Sequence, residues 1–331
     1  MLLILGTATV FVLKRELNFS VVMQIIQNVN VWLLLPALFC MAAYFYLMAA
    51  NIRNGLSVFG EGKSISKSIL YTVAGFFFSG ITPSSSGGQP AQLFYMNRDG
   101  VKLSHGTFAL LLELLSFVSA TVILGIIGAV AFFCEGGQLV GVLWLYVLGF
   151  VINFAAIALI YCFMFSKNAA KIITGWILAA SRKFFPKKKN DYRILRSVAE
   201  YRKAAKYLKK DGKLFVRMLL TSLLQLTLYH SIPFFCCISL GTRHIGWFRA
   251  MSRQAMLYAS VSSLPFPGAA GVTEGGYALM FASMMSEGML GTTMILSRII
   301  GFVLPLLVSG IWLLISSRIF QKNEKNNHRF D

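Results

Sequence analysis

The sequence predicts an all-α polytopic integral membrane protein. It has about six to seven spans plus two oppositely oriented re-entrant helical hairpins, related as an inverted-topology repeat. Three observations carry that expectation. Of 331 residues, 56% are hydrophobic and 13% charged, where soluble domains carry roughly 25% charged residues. Apolar runs of roughly 20 residues, the length a bilayer-crossing helix needs, recur along the chain. Two further runs are broken by Pro and Gly, one in each half: Ile81-Thr82-Pro83-Ser84-Ser85-Ser86-Gly87-Gly88-Gln89-Pro90 and Ser262-Ser263-Leu264-Pro265-Phe266-Pro267-Gly268-Ala269-Ala270-Gly271-Val272-Thr273-Glu274. Hydrocarbon cannot satisfy free backbone groups, so such breaks are tolerated at membrane depth only where protein buries them or water reaches them. A pair of them points to a binding site near the bilayer midplane.

Taken in order, Leu2–Leu13 is apolar but short. It reads as a partial first span, because it lacks the basic leader and small-residue cleavage pattern of a signal peptide. Val29–Ala50 is a full span, and Asn51–Ser68 is polar. Ile69–Gly80 enters the membrane and breaks at Pro83, and Gln89–Met96 leaves again to a turn at Asn97-Arg98-Asp99-Gly100. Each limb is too short to cross, which favours a hairpin. His105–Phe133 and Leu139–Phe165 are spans joined by a tight turn at Glu135-Gly136-Gly137. Leu214–Leu240 is a span with Pro233 near its end, and Gly241–Gln254 is a polar connection. Ala255–Met285 is the second broken segment, Gly291–Ser316 the last span and Ser317–Asp331 a polar tail. A single transmembrane domain, 1–331, thus divides into a first half 1–165, a basic region 166–217, a second half 214–320 and a tail 321–331.

The net charge is +19, and Lys167 to Arg217 holds 16 of the 31 Lys and Arg against Asp191, Glu200 and Asp211, a net +13. Such a loop between spans is cytoplasmic by the positive-inside rule. Ile172, Ile173, Trp176 and Ile177 lie within Ala169–Ala180, and Ile194, Val198, Tyr201, Ala205 and Leu208 recur at helical spacing. They read either as amphipathic helices in the interface or as a solvated helical hairpin. Anionic lipid beside the loop supplies a partner for its charge, so no nucleic acid is invoked. Counting spans outward from this loop, the first hairpin dips in from the cytoplasmic side and the second from the outer side. Arg243, Arg249 and Arg253 then fall on the outer side, against the rule.

No cofactor or metal is expected. Cys40, Cys134, Cys162, Cys236 and Cys237 form no CxxC pair, and His105, His230, His244 and His328 are scattered. No phosphate-binding glycine loop is present. The chemistry therefore rests on charge placed inside the membrane, where an unpaired ionised side chain costs about 2.5–3.5 kcal/mol or more. Glu113 lies within Leu110–Leu115, Glu274 follows the second break and Arg298 lies within Met294–Ile300. They form either a buried ion pair (Glu113–Arg298 or Glu274–Arg298) or a polar cavity in which carboxylates meet a cationic group and arginine meets phosphate. Ser84, Ser85 and Ser86 with Gly87 and Gly88 either offer hydroxyls and backbone N–H groups to a headgroup or simply permit close packing. Gln89 begins the outgoing limb, as Glu274 does in the second break. Arg98 and Asp99 are most simply a turn pair at the cytoplasmic surface, the alternative being that Arg98 meets a lipid phosphate.

The segment Thr82–Pro90 followed by Glu113, and Pro265–Glu274 followed by Arg298, resemble the transmembrane domain of the bacterial lysylphosphatidylglycerol synthase/flippase family, the multiple peptide resistance factors. The resemblance covers nearly the whole chain. It implies a multi-pass protein of the bacterial cell membrane that moves aminoacylated phosphatidylglycerol to the outer leaflet and protects against cationic peptides. The family's soluble aminoacyltransferase domain has no counterpart before Asp331, so translocation is expected over synthesis. The alternatives are a phosphatidylglycerol lysyltransferase activity, or docking of a separate synthase through the basic region. Composition leaves the oligomeric state open.

Overall fold

The computed structural model describes residues 29–82, 85–137, 143–166, 198–199, 203, 205–206, 212–242, 244–262 and 272–327. The stretch Leu2–Leu13, residues Pro83 and Ser84, Arg243, nearly all of the basic region and the break residues 263–271 lie outside them.

Among the described residues, all regular structure is helical. A 3₁₀ turn, Val31–Leu34, leads into α1 (Leu35–Ser57). Then follow α2 (Ile65–Ile81), α3 (Gly88–Arg98), α4 (Leu103–Cys134), α5 (Leu143–Phe165), α6 (Lys213–His230), α7 (Ile232–Ser239), α8 (Trp247–Val261), α9 (Val272–Phe281) and α10 (Glu287–Arg298). A π segment, Ile299–Val303, joins α10 to α11 (Leu304–Asn327). Five stretches are long and apolar enough to cross a bilayer: Val31–Ser57, Leu103–Cys134, Tyr146–Phe165, Lys213–Ser239 and Met289–Ser316. Their outward faces show Phe39, Val130, Val151, Leu220 and Ile311, an apolar surface far beyond what a water-soluble monomer exposes. This is a multi-pass membrane protein.

Local chemistry sets the boundaries. The Asn30 side chain caps the first turn by accepting from Trp32 N at 3.1 Å, and Ser64 caps α2. Pro233 lacks the N–H that would continue the ladder, so the expected span Leu214–Leu240 breaks at Ser231 and restarts as α7. Gly241–Gln254, expected as a connection, is helical from Trp247 onward. The last helix runs on to Asn327, through most of the expected polar tail.

Contacts define two ends of the bundle. At the first end, Phe59 after α1 stacks on His105 at the start of α4, centroids 3.9 Å apart. Met164 of α5 and Met218 of α6 share a core cluster there with Phe108. At the opposite end Asn30 N donates to Ser239 O at 3.0 Å, and Glu135 meets Arg249 and Arg253, each at 2.8 Å.

The helices α2 and α3 form an antiparallel hairpin whose base is at the first end. Asp99 accepts from Lys67 Nζ at 2.8 Å and from the Tyr71 hydroxyl at 2.6 Å. Higher up, Gly75 faces Gln92, and Gly88 faces Ser79. The helices α8 and α9 form a second antiparallel hairpin based at the opposite end, where the Arg253 guanidinium donates to Met280 O and, at 2.9 Å, to Ser283 Oγ. The two hairpins thus enter the bundle from opposite ends. Each leans on the long helix of the other half: α8 packs along α4, and α2 packs along α11, while α1 pairs with α6 at the centre.

Candidate functional site

The second hairpin ends at a cavity lined by Arg298, and the first packs against Phe302, four residues further on. Arg298 closes α10, 12 residues and about 18 Å from its start at 1.5 Å per residue. From the first hairpin, Gly80 faces Leu306 and Phe302, and the rings of Phe76 and Phe302 are 6.3 Å apart. The Arg298 guanidinium lies 5.7 Å from the Phe302 ring centroid, within cation–π range. From the second hairpin, Ser262 and Thr273 line a cavity of about 160 Å³ together with Arg298, Tyr229, Gln254, Tyr258 and Ser297.

The cavity wall mixes these polar side chains with Leu257, Val261, Met294 and Phe302. Gln254 Oε1, the Tyr277 hydroxyl and Ser297 Oγ, all in that wall, are buried without a hydrogen bond of ordinary geometry. The Tyr277 hydroxyl and Ser297 Oγ are within reach of each other, which leaves Gln254 Oε1 to meet a polar occupant, an unmet buried acceptor costing about 1–3 kcal/mol. The π segment after Arg298 shifts the hydrogen-bond register at this depth, a local irregularity frequent at functional sites.

Glu113 does not pair with Arg298. It sits ten residues into α4, about 15 Å along the axis, only 5% exposed, with Oε1 unbonded. Tyr44 of α1 and Tyr258 of α8 are close enough to sense its charge. The Tyr229 ring stands 5.3 Å from that of Tyr44 and 5.7 Å from that of Tyr258, and Tyr229 is within range of the Arg298 charge. A tyrosine layer therefore stands between Glu113 and the Arg298 cavity. Gln225, fully buried, lies within reach of the Tyr44 hydroxyl but makes no hydrogen bond of ordinary geometry. His230, also fully buried, has neither ring nitrogen bonded, and its ring lies 5.2 Å from that of Tyr258.

The other expected residues fall as follows. Glu274 occupies the first turn of α9, one residue past cavity-lining Thr273; its side chain lies outside the described residues. Ser85 and Ser86 are exposed at the tip of the first hairpin, and Ser85 has a φ of 54°. Thr82 ties the tip down by donating to Phe78 O at 2.6 Å and accepting from Gly87 N at 2.9 Å. A Cβ on Gly88 would stand 2.0 Å from Ser79 Oγ and 2.9 Å from Gly75 O. Close packing is therefore one use of these glycines. Gln89 is exposed beside the tip, and Arg98 is exposed in the last turn of α3, at the hairpin base. Sequence reasoning missed Tyr44, Gln225, Tyr229 and Tyr258. A Gln within an apolar span was the available signal, whereas the tyrosines look like ordinary filler.

Opposed hairpins inside a bundle with an apolar outside, with a half-buried arginine lining a cavity beside the second, define a polytopic membrane protein with a candidate internal site. Residues 2–309 match the family described as the lysylphosphatidylglycerol synthase TM region. The chain belongs to that family. It is also similar to a UPF0104 membrane protein of Archaeoglobus fulgidus, at 25% identity over 321 residues, covering 94% of each chain.

Proposed function

We propose that this protein translocates a phospholipid with an anionic or aminoacylated headgroup, of the lysylphosphatidylglycerol kind, from the inner to the outer leaflet of the bacterial cell membrane. Outward movement of a cationic lipid lowers the negative surface charge and so protects against cationic peptides. The observation that carries this reading is Arg298, well inside a membrane-length helix, lining a cavity with Ser262 and Thr273 of the second hairpin. The guanidinium fork is suited to a phosphate, and carboxylates at Glu274 and Glu113 to an ammonium. Acyl chains stay in lipid while the headgroup passes between the hairpin tips, and one half rocks against the other to open each side in turn. The basic end, with Lys63, Lys67, Arg98, Lys102 and Lys213 beside the loop 166–217, faces the cytoplasm.

The test is leaflet sidedness of lysylphosphatidylglycerol in vesicles holding the purified protein, read by an amine reagent that cannot cross the bilayer. Wild type equilibrates the lipid, and Arg298→Ala is slowed at least tenfold with an unchanged melting temperature. Arg298→Lys keeps the charge, loses the fork and recovers only part of the rate. Equal rates in Arg298→Ala and wild type would sink the assignment. The family's name favours one rival reading, a phosphatidylglycerol lysyltransferase or a membrane partner of one. New aminoacyl lipid on expression of this chain alone would support that rival.

A further inference from the structure

Glu113 has no part in the cavity wall, yet among the described side chains it is the most buried carboxylate. Tyr44 of α1 and Tyr258 of α8 lie within range of its charge, with Gln225, Tyr229 and His230 of α6 around that pair. The helices α3 and α5 also pack on α4, and among the described residues no charged neighbour acts on Glu113. Arg298 lies on the far side of Tyr229. Among the described residues the carboxyl thus has no counter-ion, and one of its oxygens has no hydrogen-bond partner. An ionised carboxylate left so in an apolar interior is expensive. The neutral acid, with a proton held on one oxygen, fits the closed arrangement.

We propose that Glu113 is an exchange site for a proton and the ammonium of an aminoacyl headgroup, so that translocation of the cationic lipid is coupled to proton movement. This rests on the translocation reading above. In the closed state the acid keeps its proton. When the headgroup enters, Tyr258, which belongs both to the cavity wall and to the surroundings of Glu113, swings aside and joins the two compartments. The O–H bond of the acid breaks, the proton passes to cavity water and on to bulk, and the carboxylate pairs with the ammonium. On departure of the lipid, a proton from water re-forms the O–H bond. One positive charge replaces another, so the buried site never holds an uncompensated carboxylate.

The experiment uses the purified full chain in detergent, weakly buffered, with a soluble pH dye, and lipid binding read in parallel by tryptophan fluorescence. Lysylphosphatidylglycerol is expected to release protons in proportion to lipid bound, and phosphatidylglycerol, which has no ammonium, to release none. Glu113→Gln should abolish the release, and Glu113→Asp should restore it. Binding of the lysyl lipid without proton release, or release undiminished in Glu113→Gln, would overturn the exchange and leave translocation standing. Failure of wild type to bind either lipid would remove the translocation reading and this inference with it. Infrared spectra give a readout independent of lipid: wild type at neutral pH shows the carbonyl stretch of a protonated acid, missing in Glu113→Gln. A wild-type spectrum lacking that difference overturns the proton site.

Discussion

Asn51 shows how single polar side chains hold this bundle together. Its Nδ2 donates to Met218 O at 3.2 Å and to Ser222 Oγ at 2.9 Å. Ser222 Oγ passes on to Ser116 Oγ at 3.3 Å, and Ser116 to Glu113 O at 2.8 Å. The chain of bonds links α1, α6 and α4 below the site. Interhelical hydrogen bonds in membranes average about 0.6 kcal/mol and reach about 1.7. Asn51→Ala is therefore expected to destabilise by about 1–2 kcal/mol, read as a lowered melting temperature in detergent, with lipid sidedness in vesicles retained. At this scale the sequence is a partial guide. Arg298 and Glu113 stand out because charge is rare in apolar runs, and both lie well inside membrane-length helices. His230 does not stand out in sequence, since what makes it unusual is complete burial without a partner, a property of packing.

Elements are positioned by close approach along small residues. The helix α8 lies so near α4 and α5 that a Cβ on Gly128 would stand 2.2 Å from Ser252 O, and one on Gly149 would stand 2.1 Å from Ser260 O. These are backbone atoms and cannot rotate away. Gly149→Ala is expected to cost about 1–3 kcal/mol by overpacking and to loosen the second hairpin. Faster proteolysis in the 240–246 connection would report it, whereas Gly275→Ala, with open space around it, should leave digestion unchanged. The first hairpin was legible because Pro83, Gly87, Gly88 and Pro90 interrupt an apolar run. The inward limb of the second was read too short. Arg249 and Arg253 made its start look like a solvent-facing connection, and only tertiary pairing with Glu135 turns that stretch into a helix docked on the bundle.

At the scale of the whole molecule, that pairing also accounts for two of the three arginines that counted against the orientation. Arg253 is almost fully buried, and Glu135, in the turn after α4, binds both it and Arg249. Two of the three are thus tied to a partner in the adjacent turn, while Lys63, Lys67 and Lys213 gather at the other end. Burial opposes ionisation of Glu135, but the guanidinium groups of Arg253 and Arg249 outweigh it and hold the carboxyl below its ordinary 4.5. A lowered folded-state value contributes stability that is complete above the ordinary range and is lost as pH falls through the lowered value. Wild type should therefore lose thermal stability on acidification from about pH 5 to about pH 3. Glu135→Gln should start lower at neutral pH and lose less over that interval. Parallel melting curves for the two proteins would contradict a latch at this end.

The meeting of Gly125 and Ala259 has an evolutionary consequence. A Cβ on Gly125 would lie 2.5 Å from the Ala259 methyl, so the two positions share room for a single carbon. A lineage can carry that carbon on α4 or on α8, and exchange one arrangement for the other, but the intermediate with both is squeezed. The two positions should then drift as a pair. A record of small residues trading places across this contact would reveal the seating of the second hairpin without a structure.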